Sequence, residues 1–151
     1  MTTSAGPVLI VFAGSAFPLF CLQAQFAGPE APVTLQPVDP NGQTPLQQWA
    51  YDGQVISLYE PDGAPQFYLG FIQPASSGQA LALAQIEPAD QFQFWNWSGT
   101  TASTFANAGA TGFAIDNEGG VVQAGNKVQI WQAPGNFPNQ SWIFALVPGL
   151  A

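Results

Sequence analysis

The sequence predicts an all-β protein built from three similar repeats. Its 16 glycines and 14 prolines are scattered through 151 residues, which leaves few stretches long enough for a helix of three turns. Short segments rich in β-branched and aromatic residues lie between these turn residues. The tripeptide Gln-x-Trp occurs three times, ending at Trp49, Trp95 and Trp142, so the tryptophans are 46 and 47 residues apart. Even spacing of this kind indicates a repeat architecture.

Eight segments are predicted as strands from their composition and from the turn residues that bound them. They are residues 8–12, 20–23, 55–59, 66–69, 79–87, 112–115, 127–131 and 141–147. The first two together look faintly like a secretory signal, but no Lys or Arg precedes them, and Gly14 and Pro18 interrupt the apolar run. We therefore expect both to be buried strands, with Cys21 as a small buried apolar residue.

The charge composition excludes several classes of function. Lys127 is the sole basic residue against nine acidic ones, so the net charge is −8, and the surface must be solvated largely by the 17 glutamines and by hydroxyl groups. One cation cannot neutralise a nucleic-acid backbone, so we expect no nucleic-acid partner. The apolar runs are too short and interrupted for membrane insertion. The chain has no His and one Cys, so we expect neither a cofactor nor a metal, and no disulfide within the chain.

The three Gln-x-Trp tripeptides divide the chain into units of about 50 residues, roughly 7–53, 54–100 and 101–148. These units fill the sequence and leave no room for a second domain, so residues 1–151 are predicted to form one domain. A single unit of this length could not bury its apolar face alone, whereas three around an axis share one core.

This pattern of repeats resembles the ricin B-type lectin family over almost the whole chain. The resemblance implies a β-trefoil, in which three four-stranded repeats form a six-stranded barrel closed by a triangular cap of hairpins. It also implies that Trp49, Trp95 and Trp142 pack in the core and that the Gln of each Gln-x-Trp bonds within its own repeat. Among members of the family, the chain is similar to small fungal lectins without a signal peptide. By size and fold it is also similar to the lectin-like light subunit that accompanies mushroom tyrosinase.

In the third repeat, the resemblance implies a complete sugar site. The family binds sugar with an Asp after the second strand, a Gln-x-aromatic on the third, and an Asn just before Gln-x-Trp. Asp116, Gln129, Trp131 and Asn139 match these positions, and Gln140 is the supporting Gln. A carboxylate accepts strong hydrogen bonds from sugar hydroxyls. An indole face covers the apolar C–H side of a pyranose.

Strand alternation supports the same assignment. Val128 and Ile130 point to one side of the predicted strand, while Gln129 and Trp131 point to the other. Because Val128 and Ile130 are branched aliphatic residues, we expect them to pack in the core and expect the side chains of Gln129 and Trp131 to face solvent together. We also expect Asp116 to face solvent. A purely structural role remains the alternative: Asp116 would be a turn residue bonded to its own backbone, and Trp131 would belong to the core.

The first two repeats depart from the family's site. The positions that correspond to Asp116, Trp131 and Asn139 hold Gln23, Gln36 and Leu46 in the first repeat, and Gly70, Ala84 and Phe92 in the second. Neither repeat is expected to bind sugar in the family's manner. One site in each chain implies weak binding unless the chain forms a homo-oligomer.

The sequence thus favours a non-enzymatic lectin that binds a mono- or oligosaccharide. The alternative is a lectin-like subunit or interaction scaffold that binds a protein, such as a tyrosinase heavy subunit, and little sugar. A protease inhibitor would need a reactive-loop motif, which the sequence lacks. An enzyme is disfavoured because Asp116 and Glu118 lie on one extended segment, whereas glycosidase carboxylates flank the scissile bond. The weak signal, the missing disulfides and an Asn-x-Ser sequon at Asn139 favour a cytoplasmic location.

Overall fold

The computed structural model describes residues 6–71, 75–85, 93–99, 103–132 and 138–149. Across these ranges it contains thirteen strands and three short 3-10 helices, at Pro45–Gln47, Glu118–Gly120 and Pro138–Gln140. The strands are β1 (Val8–Phe12), β2 (Phe20–Ala24), β3 (Val33–Pro37), β4 (Trp49–Tyr51), β5 (Ile56–Leu58), β6 (Phe67–Gly70), β7 (Gln79–Ala80), β8 (Ala82–Gln85), β9 (Trp95–Trp97), β10 (Phe105–Asn107), β11 (Phe113–Asn117), β12 (Asn126–Gln132) and β13 (Trp142–Leu146).

Each of the eight segments that were predicted as strands contains at least one strand in the structure. The ambiguous segment 79–87 forms two short strands, β7 and β8, and its residues 86 and 87 lie outside the described ranges. Strands β4 and β9 begin at Trp49 and Trp95, where the start of a strand is expected after each Gln-x-Trp. Strands β3 and β10 were not predicted. The first ends in Gln36-Pro37, and the second is three residues long with Asn107 at its end, so both lack the run of β-formers that makes a strand visible in sequence.

The strands form one antiparallel network that curls around a shared core. Its order is β8-β6-β5-β4-β1-β2-β3-β12-β11-β10-β9, with β13 paired to β1 and β7 paired to β12. Isolated bridges between Pro32 and Ala82 and between Val55 and Phe94 join segments that are far apart in this order. Strand β12 therefore has β11 on one edge and residues of β3 and β7 on the other.

The tryptophans of the three Gln-x-Trp motifs lie fully buried in this core, as the sequence predicts. Each indole Nε1 donates a hydrogen bond of 3.0–3.1 Å to a backbone carbonyl 26 or 27 residues earlier: Trp49 to Leu22, Trp95 to Leu69 and Trp142 to Ile115. A buried indole N–H needs such an acceptor. The same bond at the same place in each repeat shows that the repeats are structurally equivalent.

Cys21 is fully buried on β2, where it packs with Leu9, Val11 and Val147 in a small second cluster. Burial raises the pKa of its thiol to about 12, so the thiol stays protonated and unreactive at neutral pH. The prediction that Cys21 acts as a buried apolar residue is confirmed.

No helix in the described part of the chain is long and apolar enough to span a membrane.

The buried tryptophans should dominate the stability of the fold. Trp95→Ala or Trp142→Ala should lower the free energy of unfolding by about 3–5 kcal/mol, because each empties a large core position and leaves a buried carbonyl without its donor. Trp131→Ala is the control, since that indole is partly exposed, and it should cost about 1 kcal/mol or less. Urea denaturation followed by circular dichroism measures both; near-normal stability of the two core variants would contradict this packing.

Candidate functional site

The predicted sugar-site residues come together at one place in the third repeat. Asp116 lies near the end of β11, directly opposite Gln129 on β12, and Trp131 follows two residues later on β12. Asn139 and Gln140 belong to the 3-10 helix Pro138–Gln140, which ends just before β13. Gln129 and Gln140 are 13 and 24 residues from Asp116 in sequence. They come close to it because β11 pairs with β12 and because the indole of Trp142 bonds to the backbone oxygen of Ile115.

Both carboxylate oxygens of Asp116 accept a hydrogen bond from a side-chain amide. Gln129 Nε2 donates to Oδ1 at 3.2 Å, and Gln140 Nε2 donates to Oδ2 at 3.1 Å. Gln140 Nε2 also donates to the backbone oxygen of Gln132 at 3.1 Å. The amide of Gln140 therefore ties the Asp to the strand that carries Trp131, which fixes the position of the carboxylate before any ligand arrives.

The exposure of Asp116 and Gln129 differs from the prediction, whereas that of Trp131 agrees with it. Trp131 is 42% exposed, as expected, and Asn139 is half-buried. Asp116 and Gln129, which were expected to face solvent, are only 3% and 4% exposed. The expectation was wrong because strand alternation predicts which face of the strand carries a side chain and not how deeply that side chain is buried. On this face, Asp116 and Gln129 lie at the bottom of a depression that neighbouring segments help to form.

This depression has a volume of about 470 Å³. Four of the five predicted site residues line it; Gln140 is fully buried behind Asp116 and can reach a ligand only through that carboxylate. The lining residues are Gly78, Asp116, Glu118, Gly119, Lys127, Gln129, Trp131 and Asn139.

Four lining residues were not predicted as part of the site. The positions of Lys127 and Glu118 could have been noticed, since Lys127 is two residues before Gln129 on the same strand face and Glu118 is two residues after Asp116. Gly78 gives no sequence signal, because it comes from the second repeat and reaches the site through the pairing of β7 with β12. Gly119 belongs to a turn whose path the sequence does not specify.

Two glycines with positive φ lie beside residues that line the depression. Gly78 has a φ of +92°, and a Cβ there would lie 3.7 Å from the Trp131 ring and 3.9 Å from Gln129 Oε1. Gly120 has a φ of +69°, and a Cβ would come within 2.8 Å of Asn139 Oδ1. Backbones with positive φ favour glycine. Any larger residue at position 120 would also push the Asn139 amide out of place.

Burial raises the pKa of the Asp116 carboxyl, because the charged form loses solvation at the floor of the depression, and the nearby Glu118 charge adds to this. The hydrogen bonds from Gln129 and Gln140 favour the charged form and oppose the shift. The carboxylate is thus costly to bury but held by two donors, which is an arrangement that further donors, such as ligand hydroxyls, would stabilise. Within the described ranges, no three His, Cys, Asp or Glu side chains cluster in a way that could hold a metal ion.

The first repeat uses the same scaffold without the charge. Gln47 Nε2 donates to Gln23 Oε1 and to the backbone oxygen of Pro37, both at 2.8 Å. These two bonds correspond to those of Gln140 in the third repeat, so Gln23 occupies the position of Asp116. Gln36 pairs with Cys21 just as Trp131 pairs with Ala114, so an amide replaces the stacking indole.

The second repeat has lost the polar groups. Gly70 lies where the other repeats have Asp116 and Gln23, and Ala84 lies in the position of Trp131. The depression there has about 200 Å³ and largely apolar walls that include Phe71 and Leu83. Phe92, expected at the position of Asn139, lies outside the described residues. The buried Oε1 of Gln93, the Gln of this repeat's Gln-x-Trp, has no hydrogen-bond partner among the residues that the structure describes.

Removal of the Asp116 side chain should lower stability even though its charge is costly to bury, because the amides that donate to it are buried as well. Asp116→Ala leaves the buried amide of Gln129 without its acceptor, so we expect a loss of about 1–3 kcal/mol in the free energy of unfolding. Gln23→Ala is the matched variant, because it removes the equivalent acceptor of Gln47 in the first repeat, and it should cost a similar amount. Denaturant titration of both variants tests this. An Asp116→Ala protein as stable as the parent would show that the network contributes nothing to the fold.

No protein-family model matches the chain, and no curated protein matches its sequence. Solved structures are nevertheless similar to it. A designed three-fold symmetric protein has a TM-score of 0.74 and 17% identity, over 93% of this chain and 98% of the design. A ricin B-like lectin from Macrolepiota procera, solved in complex with lactose, has a TM-score of 0.69 and 17% identity, over 97% of this chain and 99% of the lectin.

An exo-β-1,3-galactanase from Clostridium thermocellum is also similar, with a TM-score of 0.73 and 18% identity. The match covers 95% of this chain but only 31% of the enzyme. Identities this low establish a shared fold and not a shared activity. The strand network, the three equivalent tryptophans and these similarities confirm the predicted fold class: the chain is an all-β protein with the β-trefoil fold, and ricin B-like lectins are among its structural neighbours.

Proposed function

We propose that this chain is a non-enzymatic carbohydrate-binding protein with a single sugar site in the third repeat. The observation that carries the proposal is the pairing of a buried, amide-held Asp116 carboxylate with the exposed face of Trp131 in one depression. A fold needs neither a charge at that depth nor an indole at the surface. Support also comes from the structural similarity to a lectin solved with lactose.

The chemistry of the depression suits a pyranose. A carboxylate has about four acceptor sites, and two of those on Asp116 are used by glutamine amides, so others remain for sugar hydroxyls. Asn139, which also lines the depression, offers both an amide donor and an acceptor. The ring of Trp131 can cover the apolar face of the sugar. Binding at a shallow site of this kind is expected near millimolar affinity, or about 4 kcal/mol in total.

The arrangement does not suit catalysis of glycoside hydrolysis. Asp116 and Glu118, the two carboxylates of the depression, belong to the end of β11 and the turn directly after it. Both therefore approach a ligand from the same side, whereas hydrolysis requires carboxylates that flank the scissile bond. Glu118 also lies 3.6 Å from the Lys127 ammonium, so its carboxylate is already engaged in an ion pair.

A second candidate function is a protein-binding subunit. The chain is poor in charge, and the large apolar side chains of Phe17 and Leu146 are 94% and 82% exposed at two separate places on the surface. The two functions differ in what Phe17→Ser and Leu146→Ser would do: a subunit would lose its stoichiometric complex, whereas a lectin would keep its sugar affinity.

Asn139 also begins an Asn-x-Ser sequon. Because Asn139 lines the depression, a glycan attached there would occupy the site. The proposed function is therefore compatible with a compartment in which Asn139 is not glycosylated, and we propose the cytoplasm.

Sugar binding should depend on the third repeat alone. Asp116→Ala and Trp131→Ala should each abolish detectable binding, because one removes charge-assisted hydrogen bonds and the other removes the stacking surface. Gln23→Ala is the matched control, since it loses the equivalent amide bond in the first repeat, and it should bind like the parent. Ligand-detected NMR with lactose and with the hits of a glycan array measures all three. Parent-like binding by Asp116→Ala would place the sugar elsewhere.

Binding should also weaken on mild acidification. The raised pKa of Asp116 means that this carboxyl takes up a proton at a higher pH than an ordinary Asp, and the protonated form accepts fewer hydroxyl bonds. Stability should not fall in step, because a group whose pKa is raised by folding adds stability as it becomes protonated. Affinity and thermal midpoint, both followed from pH 7 downwards, test this. Sugar affinity that stays constant through the acidic range would contradict a role for the Asp116 charge.

A further inference from the structure

The depression of the third repeat extends beyond the sugar-binding residues to an ion pair, Glu118 with Lys127. We propose that this pair forms a second saccharide subsite, so that the site prefers a neutral oligosaccharide of at least two units over a monosaccharide. The inference rests on the proposed function, because it assigns the part of the same depression that the first sugar unit leaves open.

The depression has room for more than one sugar unit. Lys127, Gln129 and Trp131 alternate on one face of β12, and all three line the depression. The backbone from Lys127 to Trp131 spans about 13 Å at about 3.3 Å per residue, although the Lys127 ammonium lies nearer to the indole than this because it donates to the backbone oxygen of Gly78. A volume of about 470 Å³ also exceeds what a single ring stacked on Trp131 would fill. A ligand anchored at Trp131 and Asp116 therefore has open space toward Lys127.

The ion pair supplies both halves of a hydrogen-bonding site for hydroxyl groups. The Lys127 ammonium has three donors; it donates to the backbone oxygen of Gly78 and lies 3.6 Å from Glu118 Oε2. The two side chains are 41% and 53% exposed, so a ligand can reach them. An ammonium only donates and a carboxylate only accepts, whereas a sugar hydroxyl does both, so two adjacent hydroxyls can bond to both members of the pair.

The charge of the depression favours a neutral ligand. Lys127 is the sole basic residue of the chain, and Glu118 already offsets its charge at close range. The Asp116 carboxylate remains, so the depression as a whole is negative. A saccharide with a carboxylate or sulfate would meet this charge as well as the −8 of the whole chain, whereas a neutral saccharide would not.

The backbone of the turn that carries Glu118 is held in place before a ligand binds. Asn126 Nδ2 donates to Asn117 Oδ1 at 2.7 Å and to the backbone oxygen of Glu118 at 3.0 Å, while Asn117 Nδ2 donates to the backbone oxygen of Val121 at 3.0 Å. These bonds fix both ends of the turn that carries Glu118. A fixed site loses little conformational entropy on binding.

The other two repeats lack the ion pair. From the strand register, the positions that correspond to Lys127 hold Pro32 in the first repeat and Ala80 in the second. The charged pair therefore occurs in the same repeat that retains Asp116 and Trp131. This coincidence is expected if the pair and the first subsite serve one ligand.

The experiment compares monosaccharides with their disaccharides by titration calorimetry or ligand-detected NMR. The probes are the methyl glycosides of galactose, mannose and N-acetylglucosamine, with lactose, mannobiose and chitobiose as the disaccharides. For the sugar that binds, the parent should prefer the disaccharide about tenfold, the equivalent of about 1.4 kcal/mol. Lys127→Met should reduce this ratio to about one, and Glu118→Gln should reduce it severalfold. Asp62→Asn, a change at an exposed carboxylate, is the control and should leave both affinities as they are.

Three results would overturn the inference in distinguishable ways. Equal affinities of the parent for the monosaccharide and disaccharide would remove the second subsite while leaving the proposed function intact. An unchanged ratio in Lys127→Met would show that the preference arises from other residues. Tighter binding of 3′-sialyllactose than of lactose would mean that the subsite takes an anionic saccharide. Failure of the parent to bind any of these probes or any array glycan would instead refute the proposed function itself.

Discussion

The hydrogen bond from the buried indole of Trp142 to the backbone oxygen of Ile115 is the constraint on which the third-repeat site depends. It joins two segments 27 residues apart and fixes them at the centre of the core. Asp116 directly follows the acceptor, and Gln140 lies two residues before the donor, so the same anchor brings the carboxylate and its supporting amide together. A buried N–H without an acceptor lowers the stability of the fold, so the bond between Trp142 and Ile115 is strongly favoured in the folded state.

The equivalent anchors in the other repeats show that scaffold and site are separable. Trp49 and Trp95 make the same indole bond, yet Gln23 and Gly70 follow their acceptors instead of an Asp. The fold therefore requires Gln-x-Trp and an available carbonyl, whereas it tolerates different residues at the position that faces the depression. In the described parts of the three repeats, only the third combines a carboxylate, an indole and an ion pair at this position. This difference between repeats is the reason to assign a ligand to it.

Much of this architecture is predictable from sequence because it depends on residue spacing. The separation of Trp49, Trp95 and Trp142 predicts three repeats and a shared core, and alternation along β12 predicts the exposed indole of Trp131. The depth of Asp116 and Gln129 is not predictable in this way, because it depends on how segments distant in sequence are placed beside them. Gly78 belongs to the second repeat. It lines the depression because β7 pairs with β12, and this pairing cannot be inferred from the sequence.

The five tryptophans of the chain allow the central claim to be tested at single-residue level. Indole N–H resonances of ¹⁵N-labelled protein should be followed during titration with lactose, and then with the binding glycans of an array. If the third-repeat depression binds sugar, the resonance of Trp131 should shift on titration, while those of Trp49 and Trp95, buried in the other two repeats, should stay in place. A sugar that binds while the Trp131 resonance remains unmoved would contradict the account.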